Sequence, residues 1–249
     1  MGLTIGQALG RGTRRTLSAS GAVLLVSMLL YQFVMVGAVN TLVATSLPPE
    51  VASEASAAGG IGFTFPVSTG VAGAITAVAV LFGAAVFFLA TRLLARDLSA
   101  LGSIPASLVS RRFGWAFLST LAVSLILSIV IPIGFVMLFV PGIFLAVSFQ
   151  FAIFAVGVED RGPIAALRRS WELATGNRWR LFGLLLLVFV VGAVAGGVGT
   201  VVSLIDPTTG QYVSIVVNSV LVVITYGILA DAFVQLREGS TATSGTPAL

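Results

Sequence analysis

An all-α polytopic membrane protein is the fold class predicted here: six transmembrane helices, arranged as three hairpin repeats, each preceded by a cytoplasmic amphipathic helix. Three observations predict it. The 249 residues are 57% hydrophobic and only 9% charged, against about 25% charged in a soluble domain, so lipid must cover surface that charge cannot. Six runs reach the roughly 20 apolar residues that a spanning helix needs. All 13 basic residues are arginines, and all lie on one side of the resulting map.

The spans fall at about 21–43, 70–91, 113–131, 133–158, 181–204 and 212–230. Residues 1–236 form one six-span membrane domain, and 237–249 a polar C-terminal tail. Arg11, Arg14 and Arg15 precede span 1. Arg92, Arg96, Arg111 and Arg112 lie between spans 2 and 3, and Arg161, Arg168, Arg169, Arg178 and Arg180 between spans 4 and 5. Arg237 follows span 6. The opposite loops carry only Glu50, Glu54 and Asp206. The positive-inside rule then places both termini in the cytoplasm and the protein in the cytoplasmic membrane. Thr13-Arg14-Arg15-Thr16-Leu17 resembles a twin-arginine signal, but the apolar run after it exceeds the 7–15 residues of a signal core, so span 1 is expected to be retained. The lysine-free, Ala/Val/Gly-rich usage points to a prokaryotic source.

The loops follow from turn chemistry. The external segment from Thr45 to Thr69 carries Pro48-Pro49, Gly59, Gly60, Gly62 and Pro66 and reads as coil. Pro132 is expected to turn span 3 into span 4, and Asp206–Gly210 to turn span 5 into span 6. Pro141-Gly142 is expected to kink span 4. On the basic side, Pro163 to Thr175 has proline at a first helical position and Gly176 just beyond its end, which marks a helix. Ile164, Leu167, Trp171 and Ala174 share one face, so this helix should lie in the inner interface with Trp171 and Trp179 as anchors. The pattern recurs: Ile5-Gly6-Gln7-Ala8-Leu9 precedes Arg14-Arg15, Ile104-Pro105-Ala106-Ser107-Leu108 precedes Arg111-Arg112, and Ile164-Ala165-Ala166-Leu167 precedes Arg168-Arg169. These three units predict the hairpin repeat.

Between Pro141 and Leu187 stand Pro141-Gly142-Ile143, Val158-Glu159-Asp160-Arg161-Gly162, Ala166-Leu167-Arg168-Arg169-Ser170-Trp171-Glu172-Leu173 and Asn177-Arg178-Trp179-Arg180. This stretch resembles the membrane domain that precedes some prokaryotic glycerophosphodiester phosphodiesterases, and related stand-alone families of six-helix membrane proteins. The resemblance implies a six-helix bundle. It does not imply the phosphodiesterase, whose chemistry sits in a separate soluble barrel with metal-binding histidines.

The chain has no cysteine and no histidine, so thiol nucleophiles and the usual zinc or haem ligands are absent. No phosphate loop or nucleophile–base constellation appears. An enzyme is therefore not expected, nor a cofactor or a metal. Arginines that flank apolar spans argue against nucleic acid as a partner.

Glu159 and Asp160 are expected to pair with nearby arginines at the start of the basic helix. Asp231 is expected at the inner boundary beside Arg237 or Arg92. Gly192 and Gly196 form a GxxxG pair expected to pack within the bundle.

Two functions compete. The first is a non-enzymatic scaffold or accessory protein whose lipid-facing basic surface, Arg14, Arg15, Arg111, Arg112, Arg168, Arg169, Arg178 and Arg180, meets the anionic lipids of the bilayer, with a membrane protein as a further candidate partner. The alternative is a transporter or channel for a small or lipid-like solute, in which Asp231, Asn218 and Gln150 line a polar path.

Overall fold

The computed structural model describes residues 3–244. Among the described residues eleven α-helices follow one another: α1 Ile5–Thr16, α2 Ala19–Ser46, α3 Pro49–Ala57, α4 Thr69–Leu94, α5 Ala106–Ser110, α6 Phe113–Met137, α7 Phe139–Phe149, α8 Ala152–Glu159, α9 Pro163–Ala174, α10 Arg178–Ser203 and α11 Pro207–Ser244. Among the described residues there is no strand. Six helical segments are long and apolar enough to cross a membrane: α2, α4, α6, α7 with α8, α10 and α11. The protein is thus an all-α, multi-pass membrane protein.

Several sequence expectations need correction. Pro132 is no turn: it lies inside α6, which continues to Met137. The turn falls at Leu138, whose backbone is extended at φ −164°. Pro141 sits in the first turn of α7, where a proline removes no intrahelical hydrogen bond. It therefore does not kink the span. The break in span 4 comes later, between α7 and α8 at Gln150 and Phe151. Its freed backbone is repaired from α9. Phe151 N–H donates to Ser170 Oγ (3.1 Å), and that hydroxyl donates to Ser148 O (2.8 Å). A broken helix persists at bilayer depth only where such partners exist. The segment from Thr45 to Thr69 is not all coil, because Pro48 and Pro49 start the short helix α3. The second pre-helix, α5, has only five residues. The tail continues α11 as far as Ser244; residues 245–249 of the expected tail lie outside the described residues.

The chain divides into two compact units. The first holds residues 1–22, 87–188 and 224–249, and the second holds 23–86 and 189–223. All thirteen arginines fall in the first, against six acidic residues; the second has no arginine and three acidic residues, Glu50, Glu54 and Asp206.

In the first unit α6 packs on α7, α8 and α9. Phe88, Ala116, Val123, Ala152, Ala155, Val156 and Ala166 form its core. The small residues bring helices close: a Cβ on Gly157 would meet Thr91 Oγ1 at 2.0 Å. Phe151, Phe154 and Phe233 stack beside them, and Tyr226 lies over both Phe154 and Phe87. Helix α9 begins at Pro163 and ends before Gly176, at φ +83°. It buries Ala166, Ser170, Leu173 and Ala174, and leaves Ile164 and Trp171 exposed. Its buried face is thus the small-residue face; most of the apolar face read from the sequence points outward.

Helix α1 docks on α11 by a reciprocal glycine contact. A Cβ on Gly12 would lie 2.5 Å from Ile228 Cα, and one on Gly227 would lie 2.5 Å from Gly12 O. The two backbones touch directly, as only glycines permit. In the second unit Tyr31 fills the space beside Gly83, and Phe33, Phe63, Phe65 and Tyr212 form an aromatic cluster. The expected close contact at Gly192 and Gly196 is absent: a Cβ at either would meet nothing within 4 Å.

Candidate functional site

The arginines of the first unit sort into two sets. One set is buried and paired. Arg15 and Asp231, 4% and 1% exposed, lie opposite each other because the Gly12–Gly227 contact sets α1 against α11. Arg15 donates from Nε at 3.2 Å and Nη2 at 3.1 Å to Asp231 Oδ1. Its Nη1 donates to Leu94 O (2.6 Å) and to Arg96 O. Gln235 Nε2 donates to Asp231 Oδ2 (2.7 Å), and Gln235 Oε1 accepts Thr4 N–H (3.0 Å). Every polar atom of this cluster is thereby engaged, as a buried ion pair requires. Two expectations fail here. Arg15 is not part of the lipid-facing surface, and Asp231 takes Arg15 as its partner rather than Arg92 or Arg237.

Asp160 makes the second node. It caps α8 in the left-handed region at φ 52°, where aspartate is tolerated. Its Oδ1 accepts Arg92 Nη2 at 2.7 Å, and its Oδ2 lies 2.5 Å from Arg111 Nη2. Arg92 also donates to Gly157 O (2.9 Å) and Arg111 O (2.6 Å), and stacks over Phe88. Glu159 makes the third node, with Arg161 at 2.6 Å and Arg169 at 3.4 Å. The expected pairing of Glu159 and Asp160 with arginines therefore holds. Arg96 donates to Ser20 Oγ (2.9 Å) and Ser103 O (2.7 Å), and burial lowers its guanidinium from the ordinary value.

The other set faces outward. Arg11, Arg14, Arg112, Arg168 and Arg180 are exposed, and none joins an ion pair among the described residues. Large apolar side chains stand exposed close to them in the chain: Leu17 at 86%, Trp115 at 58%, Ile164 at 70% and Trp179 at 86%. Of the eight arginines predicted to form this surface, Arg14, Arg112, Arg168 and Arg180 are exposed and outside any ion pair among the described residues, with Arg180 donating to Leu3 O (3.3 Å). Arg111 is exposed but tied to Asp160, and Arg169 is tied to Glu159. Arg178 stacks over Phe144 and Trp171, at 4.6 and 4.5 Å from the ring centroids. It also lines an apolar groove of about 410 Å³, together with Val140, Ile143, Phe144, Val147, Trp179 and Phe182.

The three residues of the expected polar path do not share a site. Asp231 is closed off by Arg15 and Gln235. Gln150 sits at the break in span 4, with both amide atoms buried and without a partner among the described residues. Asn218 lies in the second unit, accepting from Gln32 Nε2 (2.5 Å) beside a polar cleft. The sequence did not single out the other polar residues of that cleft, Gln211, Thr200 and Ser203, as a site. Gln211 forms a polar stripe at helical spacing with Ser214 and Asn218 on α11, while Thr200 and Ser203 lie on α10. At the start of α11, Asp206 Oδ2 accepts the Thr209 hydroxyl and the Thr209 backbone N–H (2.8 Å). These bonds hold its carboxyl below the usual carboxylate range. No group of three or more His, Cys, Asp or Glu side chains placed to hold a metal occurs among the described residues.

A family profile described as a domain of unknown function (DUF7847) matches residues 3–236. No curated protein and no solved structure matches the chain.

Proposed function

Since the chain belongs to this family of unknown function, we propose its role from its own surface: a non-enzymatic scaffold or accessory protein of a prokaryotic cytoplasmic membrane, with an anionic-lipid-binding face on the cytoplasmic side. The observation that carries the reading is the division of the arginines. Asp231, Asp160 and Glu159 satisfy the inner set, while Arg11, Arg14, Arg112, Arg168 and Arg180 have no carboxylate partner among the described residues and stand close in the chain to exposed Leu17, Trp115, Ile164 and Trp179. Guanidinium groups beside indole and aliphatic side chains match the layer where phosphate headgroups meet acyl chains. Each such arginine contributes about 1 kcal/mol near an anionic surface. The groove that Arg178 lines supports the same reading, since its apolar wall suits an acyl chain and its guanidinium a phosphate.

Native mass spectrometry of the purified protein with phosphatidylglycerol or phosphatidylcholine tests this. Phosphatidylglycerol should be retained in preference, and Arg14→Gln, Arg112→Gln, Arg168→Gln and Arg180→Gln together should abolish the preference. Equal retention of both lipids by the parent protein would refute the lipid-binding role. Sidedness has its own test. The chain has no cysteine, so Ser56→Cys and Ser99→Cys carry single thiols in the external and cytoplasmic loops of the proposed topology. In intact cells an impermeant maleimide should label the first and spare the second; the reverse pattern inverts the topology.

A further inference from the structure

The second unit holds a cleft of about 360 Å³ between α2, α10 and α11, and among the described residues no charged side chain lines it. Gln211, Ser214 and Asn218 share one face of α11, opposed by Gln32 of α2 and by Thr200 and Ser203 of α10. Asn218 is eleven residues beyond the first residue of α11. At 1.5 Å per residue the polar face runs about 16 Å along the helix, roughly half of a 30 Å hydrocarbon core. Polar groups at that depth are costly unless satisfied.

The protein satisfies only half of each amide. Gln211 Oε1 accepts Asn40 Nδ2 (3.2 Å) and Phe63 N–H (3.1 Å). Asn218 and Gln32 bond one another. The other end of each of these three amides, and the Ser214 hydroxyl, has no protein partner among the described residues. Glycines hold the walls in place: a Cβ on Gly199 would fall 1.9 Å from Ser214 Oγ, one on Gly62 1.9 Å from Gln211 Oε1, and one on Gly210 2.4 Å from Ser203.

We infer that this cleft binds a neutral, hydroxyl-rich group such as a sugar or glycerol moiety. The lining offers no counter-charge to a phosphate or an ammonium. Donors and acceptors side by side suit hydroxyls, which both give and accept hydrogen bonds. The volume falls at the lower end of small-molecule sites, about 300–1,000 Å³, and far exceeds the roughly 30 Å³ share of one water. The same chemistry is offered by a glycolipid headgroup and by a free sugar. This site is distinct in residues and in charge from the arginine-rich face.

The test uses the full chain in lauryldimethylamine oxide, because glycoside detergents would occupy the cleft. Monoglucosyl diacylglycerol, diacylglycerol and free glucose are each titrated, with retained adducts read by native mass spectrometry. The glucosyl lipid should bind about tenfold or more tighter than diacylglycerol, the loss expected when a few hydrogen bonds vanish. Gln32→Leu with Asn218→Leu should remove that difference at an unchanged melting temperature, and Ser214→Ala should reduce it should the double variant not fold. Competition by glucose assigns a free solute; no competition assigns a lipid headgroup. Equal binding of the two lipids with no binding of glucose overturns the inference. So does a double variant that turns a dimer into a monomer, because the polar face would then be a contact between copies.

Discussion

Replacing Asp231 with alanine tests the buried core of the arginine-rich unit most severely. Asp231 is 1% exposed and Arg15 is 4% exposed, so the change leaves a desolvated guanidinium with two backbone carbonyls and no counter-charge. Removing one partner of such a pair costs about 3–5 kcal/mol. In a chain of this length 1 kcal/mol moves Tm by about 2–4 °C, so a fall of roughly 6–20 °C is expected. Tryptophan fluorescence from Trp115, Trp171 and Trp179 during thermal unfolding in detergent reads it directly. Arg15→Met with Asp231→Leu removes both charges and should recover much of the loss, although Leu94 O and Arg96 O lose their donor. The double-mutant cycle should give a coupling above about 1 kcal/mol. A folded Asp231→Ala protein melting within about 2 °C of the parent would falsify the view that this pair anchors α1.

Three further outcomes follow from other contacts. Gly12→Ala and Gly227→Ala should each lower stability by about 1–3 kcal/mol, because a Cβ meets backbone that has nowhere to go, whereas Gly10→Ala on the same helix, with nothing within 4 Å, should be neutral or stabilising; equal melting of all three sinks the close-contact reading. Ser170→Ala strands the Phe151 N–H and should cost about 1–3 kcal/mol, visible as faster hydrogen exchange at Phe151; unchanged exchange there would mean another group closes the break. Asp206 is more acidic in the folded chain, so its contribution is present above the unfolded carboxylate pKa and is lost as pH falls through its lower folded value; Asp206→Asn should remove that acid-side decline in the stability of the first turn of α11, and an identical pH profile for variant and parent would exclude the cap.

The number and class of the spans were legible because apolar length is a one-dimensional property. The six helices therefore stand close to where hydropathy puts them. What composition could not carry was the choice among partners. Pro132 reads as a turn by itself, yet α6 passes through it and turns where Leu138 becomes extended. Arg14 and Arg15 are adjacent and chemically identical. Which of them points inward depends on Gly12, one turn earlier, and on a residue 216 positions away. On α9 Ile164 and Trp171 stand exposed, as a helix lying in the interface requires; the buried face of Ala166, Ser170 and Ala174 was not legible, because in membranes small residues pack and large apolar ones meet lipid. In the polar cleft, Gln211 became informative only when α10 and α2 supplied the opposite wall.

The Arg15–Asp231 pair also sets an order of events during synthesis. Ribosomes add about 5–20 residues per second, and the two partners are separated by 216 positions. Arg15 therefore leaves the ribosome roughly 10–40 s before its counter-charge exists. During that interval α1 cannot occupy its final seat, because Gly227, Leu94 and Asp231 are still to come. Under the lipid-binding role proposed above, a helix bearing Arg11, Arg14 and Arg15 would have an alternative berth in the meantime, at the negatively charged headgroups beside the insertion site. Docking of α1 is then the last stitch of assembly, and chains cut short before α11 should retain an N-terminal helix open to protease.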